Sequence, residues 1–367
     1  MMKLNQINNI SFNGKIIDMH THIGHWDNNK YFGKEALDTF TQTPIAVNIN
    51  GIKSEDTIEK MIISSLDSIG TNGASGRSNE IEGLNQVLNL TKNNEKYSVM
   101  AVCQPNLTNG DASALREALN NNSRNIVGLK FHPRKLLEGQ IQDNPAWYDD
   151  YFKLAQEKNL PCLFHCDEGI SGANKIYNLV KGKYSQIPVI LGHCGAGGDA
   201  NFNEALNVLK SSIDNNDAKI YADISWLDWK NDLPDGNHIK VKQLITELKE
   251  RNALDRILFG TDAPLGCFGE NQVGEITPKT AYEKTVSGLK TMIKRSFGEE
   301  ADDIIEKIFY KNSKELFYKN NSNITGTTNT KTKNKLITIV RASAIALGAI
   351  GTWVYHNKDF LAKFFKK

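Results

Sequence analysis

Cysteine is scarce in this chain and is never spaced as a pair. The 367 residues hold 5 Cys, at Cys103, Cys162, Cys166, Cys194 and Cys267. No CxxC occurs and the number is odd, so a disulfide framework is not the basis of the fold. Reduced thiols in a cytosolic compartment are the simpler expectation. The first eleven residues are polar and rich in Asn, without the apolar stretch of a secretory signal. No GxGxxG follows the first apolar run, which argues against a dinucleotide-binding fold. No internal repeat is present. Charge of one sign is lacking too, with a formal net charge of +2. That balance is uneven along the chain. Residues 321–367 carry eight Lys and Arg against one Asp, and the remainder carries 36 against 41 Asp and Glu. A mildly acidic body excludes a nucleic-acid binder as the first reading.

What is present is an alternation of short apolar runs with longer amphipathic ones. Strands are predicted over 15–19, 61–65, 97–102, 127–131, 161–164, 188–191, 219–224 and 256–259. Each is rich in Val, Ile, Leu or Phe, as strands buried on both faces are. Helices are predicted over 111–121, 145–158, 173–184, 200–214, 238–252 and 282–297. Asp111 reads as an N-cap, and Pro145 suits a first helical position. Eight strands with intervening helices imply a parallel α/β architecture. A closed (β/α)8 barrel of the TIM type accounts for the count, and about 250 residues suffice for one. The barrel domain is expected over 1–319. The segments 23–60 and 70–79 are long for connections between strand and helix, and such loops usually shape an active site.

The strongest local signal is Ile16-Ile17-Asp18-Met19-His20-Thr21-His22. Residues two apart on a strand point to the same side, so His20 and His22 can reach one ion. Imidazole suits Zn, Fe, Ni or Cu better than Mg or Ca. An HxH alone often arises by chance. Here His165 ends the fifth predicted strand, His193 the sixth and Asp262 the eighth. Each alone reads as a satisfied structural residue. Barrel enzymes, however, gather catalytic residues from the C-terminal ends of several strands.

Taken in order, the segments DMHTHIG, LFHCDEG, VILGHCGAGG and ILFGTDAPLG resemble the amidohydrolase superfamily. More narrowly they resemble the amidohydrolase-related group that contains aminocarboxymuconate-semialdehyde decarboxylase. GLKFHPR and YKNSKELF support the resemblance, which runs from about Lys15 to Phe317. It implies that His20, His22, His165 and Asp262 are metal-site residues and that His193 lies beside the metal. One divalent metal is the expected cofactor, zinc first, with manganese, iron or cobalt as alternatives. Such a metal would activate water and polarise a carbonyl, with Asp262 as general base and His193 as oxyanion or proton group. In some members of the superfamily a carboxylated Lys on the fourth strand bridges two metals. Lys130 therefore leaves room for a second metal, while GLKFHP-like segments favour one. Lys130 and His132 share a strand face, and Arg134 suits a substrate carboxylate as well as it suits open solvent. By the same resemblance, Asp223 occupies a supporting position. Cys166 and Cys194 read as packing residues, His238 and His356 as surface groups, and Trp226 and Trp229 as cover for the pocket or the core.

The expected activity is metal-dependent hydrolysis of a small-molecule ester, lactone or amide. Nonoxidative decarboxylation of a small carboxylic acid on the same site is the alternative, and a non-catalytic tethered barrel is a third. Residues 320–335 form a polar linker of low complexity. Residues 336–355 are apolar except mainly for Arg341, and about 20 such residues can span a bilayer. Trp353 and Tyr355 sit where interfacial aromatics belong. A membrane tether through 336–355, with a basic tail to 367 and a cytoplasmic barrel, is one expectation. A soluble helix that packs on the barrel or joins copies into a homo-oligomer is the other.

Overall fold

The computed structural model describes residues 14–26, 30–69, 78–122, 125–132, 145–166, 172–227, 238–264 and 278–319. Its strands are β1 (Gly14–Trp26), β2 (Lys30–Phe32), β3 (Ile45–Ile49), β4 (Ile52–Ser65), β5 (Tyr97–Cys103), β6 (Ile126–Phe131), β7 (Cys162–His165), β8 (Pro188–Gly192), β9 (Lys219–Asp223) and β10 (Ile257–Leu258). Its helices are α1 (Lys34–Thr41), α2 (Glu80–Thr91), α3 (Ser113–Asn121), α4 (Asp149–Lys158), α5 (Ala173–Val180), α6 (Asp199–Asn215), α7 (Ile239–Glu250), α8 (Pro278–Phe297), α9 (Ala301–Glu306) and α10 (Asn312–Tyr318). A π-helical turn, Lys307–Lys311, joins the last two.

Strands β1, β4, β5, β6, β7, β8, β9 and β10 are parallel neighbours in that order. The sheet then closes on itself. Thr21 bridges Ala263 in parallel, Met19 N donates to Phe259 O at 3.1 Å, and Asp262 N donates to His20 O at 2.8 Å. All eight predicted strands are therefore present, and they form the closed parallel α/β sheet that the alternation implied.

Two additions lie outside that scheme. β2 pairs antiparallel with β1, and β3 pairs antiparallel with β4. The segment read as one long loop over 23–60 is instead a continuation of β1, a short helix and a hairpin. Asn50 and Gly51 both take positive φ, 52° and 88°, at the hairpin turn. Helix α2 was not predicted. Asn79 caps it by accepting from the backbone N–H groups of Ile81 and Glu82, and Glu82 returns a bond to Asn79 N. Asp111 is not an N-cap, because α3 starts after Ala112; Asp111 Oδ1 instead accepts from Ser113 N in a local turn.

Alternation along the strands decides what faces the helices. Leu129 and Phe131 of β6, Phe164 of β7 and Val189 and Leu191 of β8 belong to one continuous apolar core. The residues between them, Lys130, Leu163 and Ile190, point to the barrel interior. Cys103, Cys162, Cys166 and Cys194 are buried and no disulfide joins them. Cys267 lies outside the described residues.

One expectation is corrected. No helix among the described residues is long and apolar enough to cross a membrane, so the structure gives no tether for a membrane-associated barrel. The linker over 320–335 and the apolar and basic segment over 336–367 lie outside the described residues. The chain divides into a unit Met1–Phe317 and a unit Tyr318–Lys367. In the second only Tyr318 and Lys319 are described.

Candidate metal centre at the strand ends

β1 does not stop before the HxH pair. It runs through His20 and His22 to Trp26, and both histidines are buried. His20 Nε2 lies 3.2 Å and His22 Nε2 2.8 Å from Asp262 Oδ1. Lys130 Nζ lies 2.5 Å from His20 Nε2 and 3.0 Å from His22 Nε2. Strands 1, 4 and 8 of the barrel thus meet at one point.

The rings are aimed from behind. Asp223 Oδ2 sits 2.6 Å from His20 Nδ1. Ser64 Oγ sits 2.9 Å from His22 Nδ1 and gives its own hydrogen to Thr21 O. A carboxylate only accepts, and a hydroxyl whose hydrogen is committed also accepts. The network therefore assigns the ring hydrogen of both histidines to Nδ1. Both Nε2 lone pairs face inward, with the Asp262 carboxylate beside them. Two imidazole lone pairs and a carboxylate, with Lys130 the one donor against them among the described residues, form a cation-seeking set. A metal-binding histidine usually gives its other N–H to a carboxylate or similar acceptor in this way. The residues present fit a divalent metal.

His193 is built similarly. Ser225 Oγ donates to Asp223 Oδ2 at 2.6 Å and accepts from His193 Nδ1 at 2.9 Å. His193 Nε2 is therefore an acceptor in the neutral ring. His193 takes a φ of 61° and its backbone N donates to Asp223 Oδ2 at 3.2 Å. Two groupings bring ligand atoms within 4.8 Å of one another among the described residues: His20, His22 and Asp262, and His20, His193 and Asp223.

His165 stands outside both groupings. Its ring stacks on His132 at 3.9 Å and 20°, and meets His193 edge-on at 4.9 Å. His193 stacks on His20 at 4.9 Å, and His20 meets His22 at 5.1 Å. Five imidazoles thus form one chain of rings across the mouth, from His132 to His22. His132 Nδ1 is buried without a hydrogen-bond partner among the described residues.

Electrostatics follow burial. Burial, then the Lys130 charge, lowers His20 and His22 from 6.5 to about 4. Burial lowers His193 to about 3 and holds His132 well below the usual range. Burial brings Lys130 down to about 8. For Asp262 burial acts upward, but the neighbouring imidazoles outweigh it and hold the carboxyl well below its ordinary value. Asp223 is similarly held at about 2, against burial, chiefly by His20. At neutral pH the site is an ionised carboxylate facing neutral rings.

Sequence reading passed over Asp18, Ser64 and Ser225. Burial raises Asp18 to about 7; it accepts from Thr261 Oγ1 at 2.6 Å and Thr261 N at 3.1 Å, tying the first strand to the last. Its place two residues before His20 was the available signal. The expectation that His238 is a surface group is corrected: it is buried, with a φ of 34°. Trp226 meets the His193 ring edge-on at 6.4 Å. Arg134, Trp229 and His356 lie outside the described residues.

A closed parallel barrel with His and Asp side chains gathered at its strand ends defines a class of metal-dependent barrel enzymes. A family model described as amidohydrolase matches residues 84–318, and the chain belongs to that family. His20 and His22 precede the matched stretch. Among solved structures, the chain is similar to a probable 2-pyrone-4,6-dicarboxylic acid hydrolase from Acinetobacter baumannii with citric acid bound. That match has a TM-score of 0.51 and 15% identity, over 82% of this chain and 98% of the other. It is also similar to a lactonase from Listeria monocytogenes, with a TM-score of 0.50 and 15% identity, over 84% of this chain and 95% of the other. At that identity the likeness shows the fold alone. No curated protein matches the chain.

Proposed function

We propose that this protein is a hydrolase that opens a small-molecule ester, lactone or amide at a divalent metal held by His20, His22 and Asp262. The observation that carries the reading is the convergence of two Nε2 lone pairs on Asp262 Oδ1, with both rings aimed from behind by Asp223 and Ser64. His165, beyond His193 in the chain of rings, is the candidate fourth ligand. When bound, the metal supplies Lewis acidity toward a carbonyl oxygen and toward water.

The chain's own residues handle the protons and the geometry. Asp262, ionised and turned inward, takes the proton from the attacking water. His193 presents Nε2 as an acceptor beside the reacting group, and Ser225 and Asp223 keep its ring in that tautomer. The proton taken up by Asp262 returns to the leaving oxygen or nitrogen, directly or by way of His193 Nε2. Lys130 balances the carboxylate charge in the buried pocket. Its amine is also the group through which a second metal would be held if it carried a carboxylate. His132 and Arg134 are candidates for substrate contact.

The experiment is turnover by the full chain loaded in turn with Zn, Mn, Co and Fe, on a panel of lactones, esters, amides and small carboxylic acids in 18O-labelled water. Label entering the product carboxyl is expected. Asp262→Asn should lower kcat by at least about a thousandfold. An Asp262→Asn variant with undiminished kcat, or carbon dioxide release without label uptake, sinks the reading. Metal analysis belongs with it: about one equivalent per active chain is expected, and two would assign Lys130 to a bridging role.

A further inference from the structure

Nothing in the site so far explains why the Asp262 carboxylate points where it does. β10 ends at Leu258, well before Asp262. Among the described residues no hydrogen-bond donor holds the carboxylate: its neighbours are His20 Nε2 and His22 Nε2, which turn lone pairs toward it. Lys130 Nζ is engaged with the same two rings. The direction of the carboxylate is therefore set by its own backbone. That backbone takes a φ of 57°, in the left-handed region that few residues other than Gly, Asn and Asp visit.

Two buried side chains bracket it. Thr261 Oγ1 donates to Asp18 Oδ2 at 2.6 Å and accepts from Ala263 N at 3.1 Å. The hydroxyl thus grips the N–H on the far side of Asp262 and closes a small ring around the backbone of that residue. A carboxylate only accepts, so Asp18 fixes the hydroxyl hydrogen and leaves an Oγ1 lone pair for Ala263. The other Asp18 oxygen accepts from Thr261 N at 3.1 Å and from His20 N at 3.2 Å. One buried carboxylate therefore holds the N–H of His20 and the N–H just before Asp262. A plain latch between the first and last strands needs neither side chain. Backbone bonds already supply it, from Met19 N to Phe259 O, Asp262 N to His20 O and His22 N to Ala263 O. Burying a carboxylate costs free energy. What the Thr261 hydroxyl adds to the backbone bonds is a constraint on the torsions of residue 262.

We infer that Thr261 is a positioning residue: its hydroxyl, oriented by Asp18, holds Asp262 in the left-handed conformation that aims the carboxylate at the Nε2 atoms of His20 and His22. Thr261 acts through Asp262, since its own hydroxyl is committed to Asp18 and Ala263. The inference rests on the metal centre of the proposed hydrolase and is independent of which bond is broken there.

The test compares the full chain with Thr261→Val, which keeps the shape and removes the hydroxyl, and with Thr261→Ser, which keeps the hydroxyl. In crystals of the metal-free proteins, Asp262 Oδ1 should leave its place beside His22 Nε2 by at least about 1 Å in Thr261→Val, a misplacement large enough to matter chemically, and stay in Thr261→Ser. Zinc affinity, read against a chromophoric chelator, should fall about 10- to 100-fold in Thr261→Val. Thr261→Ser should stay within about twofold of the wild type, the scale of an ordinary surface change. The visible spectrum of the cobalt-saturated protein should change in Thr261→Val and return in Thr261→Ser, a readout that lost stability alone does not move. If Thr261→Val does not fold, Thr261→Ala, which presses no methyl group on the Asp18 carboxylate, is read in the same way. An unmoved Asp262 carboxylate or an unchanged zinc affinity in the variant without the hydroxyl overturns the proposal, and so does a Thr261→Ser that behaves like Thr261→Val. A wild type that takes up neither zinc nor cobalt sinks the metal-centre reading, and the crystallographic comparison alone then decides the role of Thr261.

Discussion

Gly260 shows how little room the site leaves behind its ligands. A Cβ there would stand 2.5 Å from Asp223 Oδ1 and 2.8 Å from His20 Cβ. Neither neighbour can yield without moving the ring that presents Nε2. Gly260→Ala should therefore weaken zinc binding and lower stability by about 1–3 kcal/mol, the usual scale of overpacking. Competition against a chromophoric chelator and a urea melt read the two effects; wild-type zinc affinity in a folded variant would refute the reason given. Asp223→Asn tests the aiming itself. It keeps the size but replaces an obligate acceptor, and zinc affinity should fall about 10- to 100-fold. An unchanged affinity would mean that His20 is oriented by something other than Asp223. Asp223 could be read at its strand end in YADIS. Ser64, which aims His22, could not, because a Ser at the end of an apolar strand carries no signal of what it faces.

Among the elements, β10 is the shortest barrel strand, Ile257–Leu258, yet Asp262 hangs from its end. It is braced by the π-helical turn and by Asn312. Phe259 N donates to Ile308 O at 3.2 Å, and Asn312 Nδ2 donates to Leu254 O and Ile257 O, both at 2.8 Å. A π turn shifts the helical bonding register, and Ile308 O, inside it, is the carbonyl that meets Phe259 N. Asn312→Ala leaves two carbonyls without this donor and should cost about 1–3 kcal/mol. The check is a lower urea midpoint at unchanged m value; a shift below about 0.5 kcal/mol would be the size of an ordinary surface change. At this scale the eight barrel strands were legible because buried runs of Val, Ile, Leu and Phe have one reading. The hairpin of β3 and β4 was not, because its outer half alternates buried and exposed residues. Asn50-Gly51, a pair suited to tight hairpin turns, was its available signal. Likewise Asn79 and Glu82 announced α2 as a capping box.

For the whole molecule, the concentration of buried imidazoles predicts acid sensitivity of the metal-free protein. His20, His22 and His193 are lowered from 6.5 to about 4, 4 and 3, and His132 further than its ordinary range. Between pH 6.5 and 4 the unfolded chain takes up protons on these rings that the folded chain refuses. Their contribution to stability is thus fully present above pH 6.5 and is lost as pH falls through that window. Asp18 opposes them. Raised from 3.8 to about 7, it contributes stability below pH 3.8 that is lost as pH rises through 7. Four rings outweigh one carboxyl, and each net proton is worth about 1.4 kcal/mol per pH unit. Urea midpoints should fall steadily from pH 7 to pH 4.5; a flat or rising series would show that the rings are not held neutral.

By itself the sequence determined the barrel, the family and the identity of most polar groups at the strand ends. Those depend on local patterns: apolar runs of strand length, and an HxH, a His, a His and an Asp each following one. Tertiary closure decided the rest, because which nitrogen of a ring faces inward depends on partners far away in the chain. Asp223 aims His20 from 203 positions away, and Ser64 aims His22 across 42. Closure also decided which residues group together. It put Lys130 between the two histidines of β1 and set His165 against His132, a distinction that spacing along the chain does not contain.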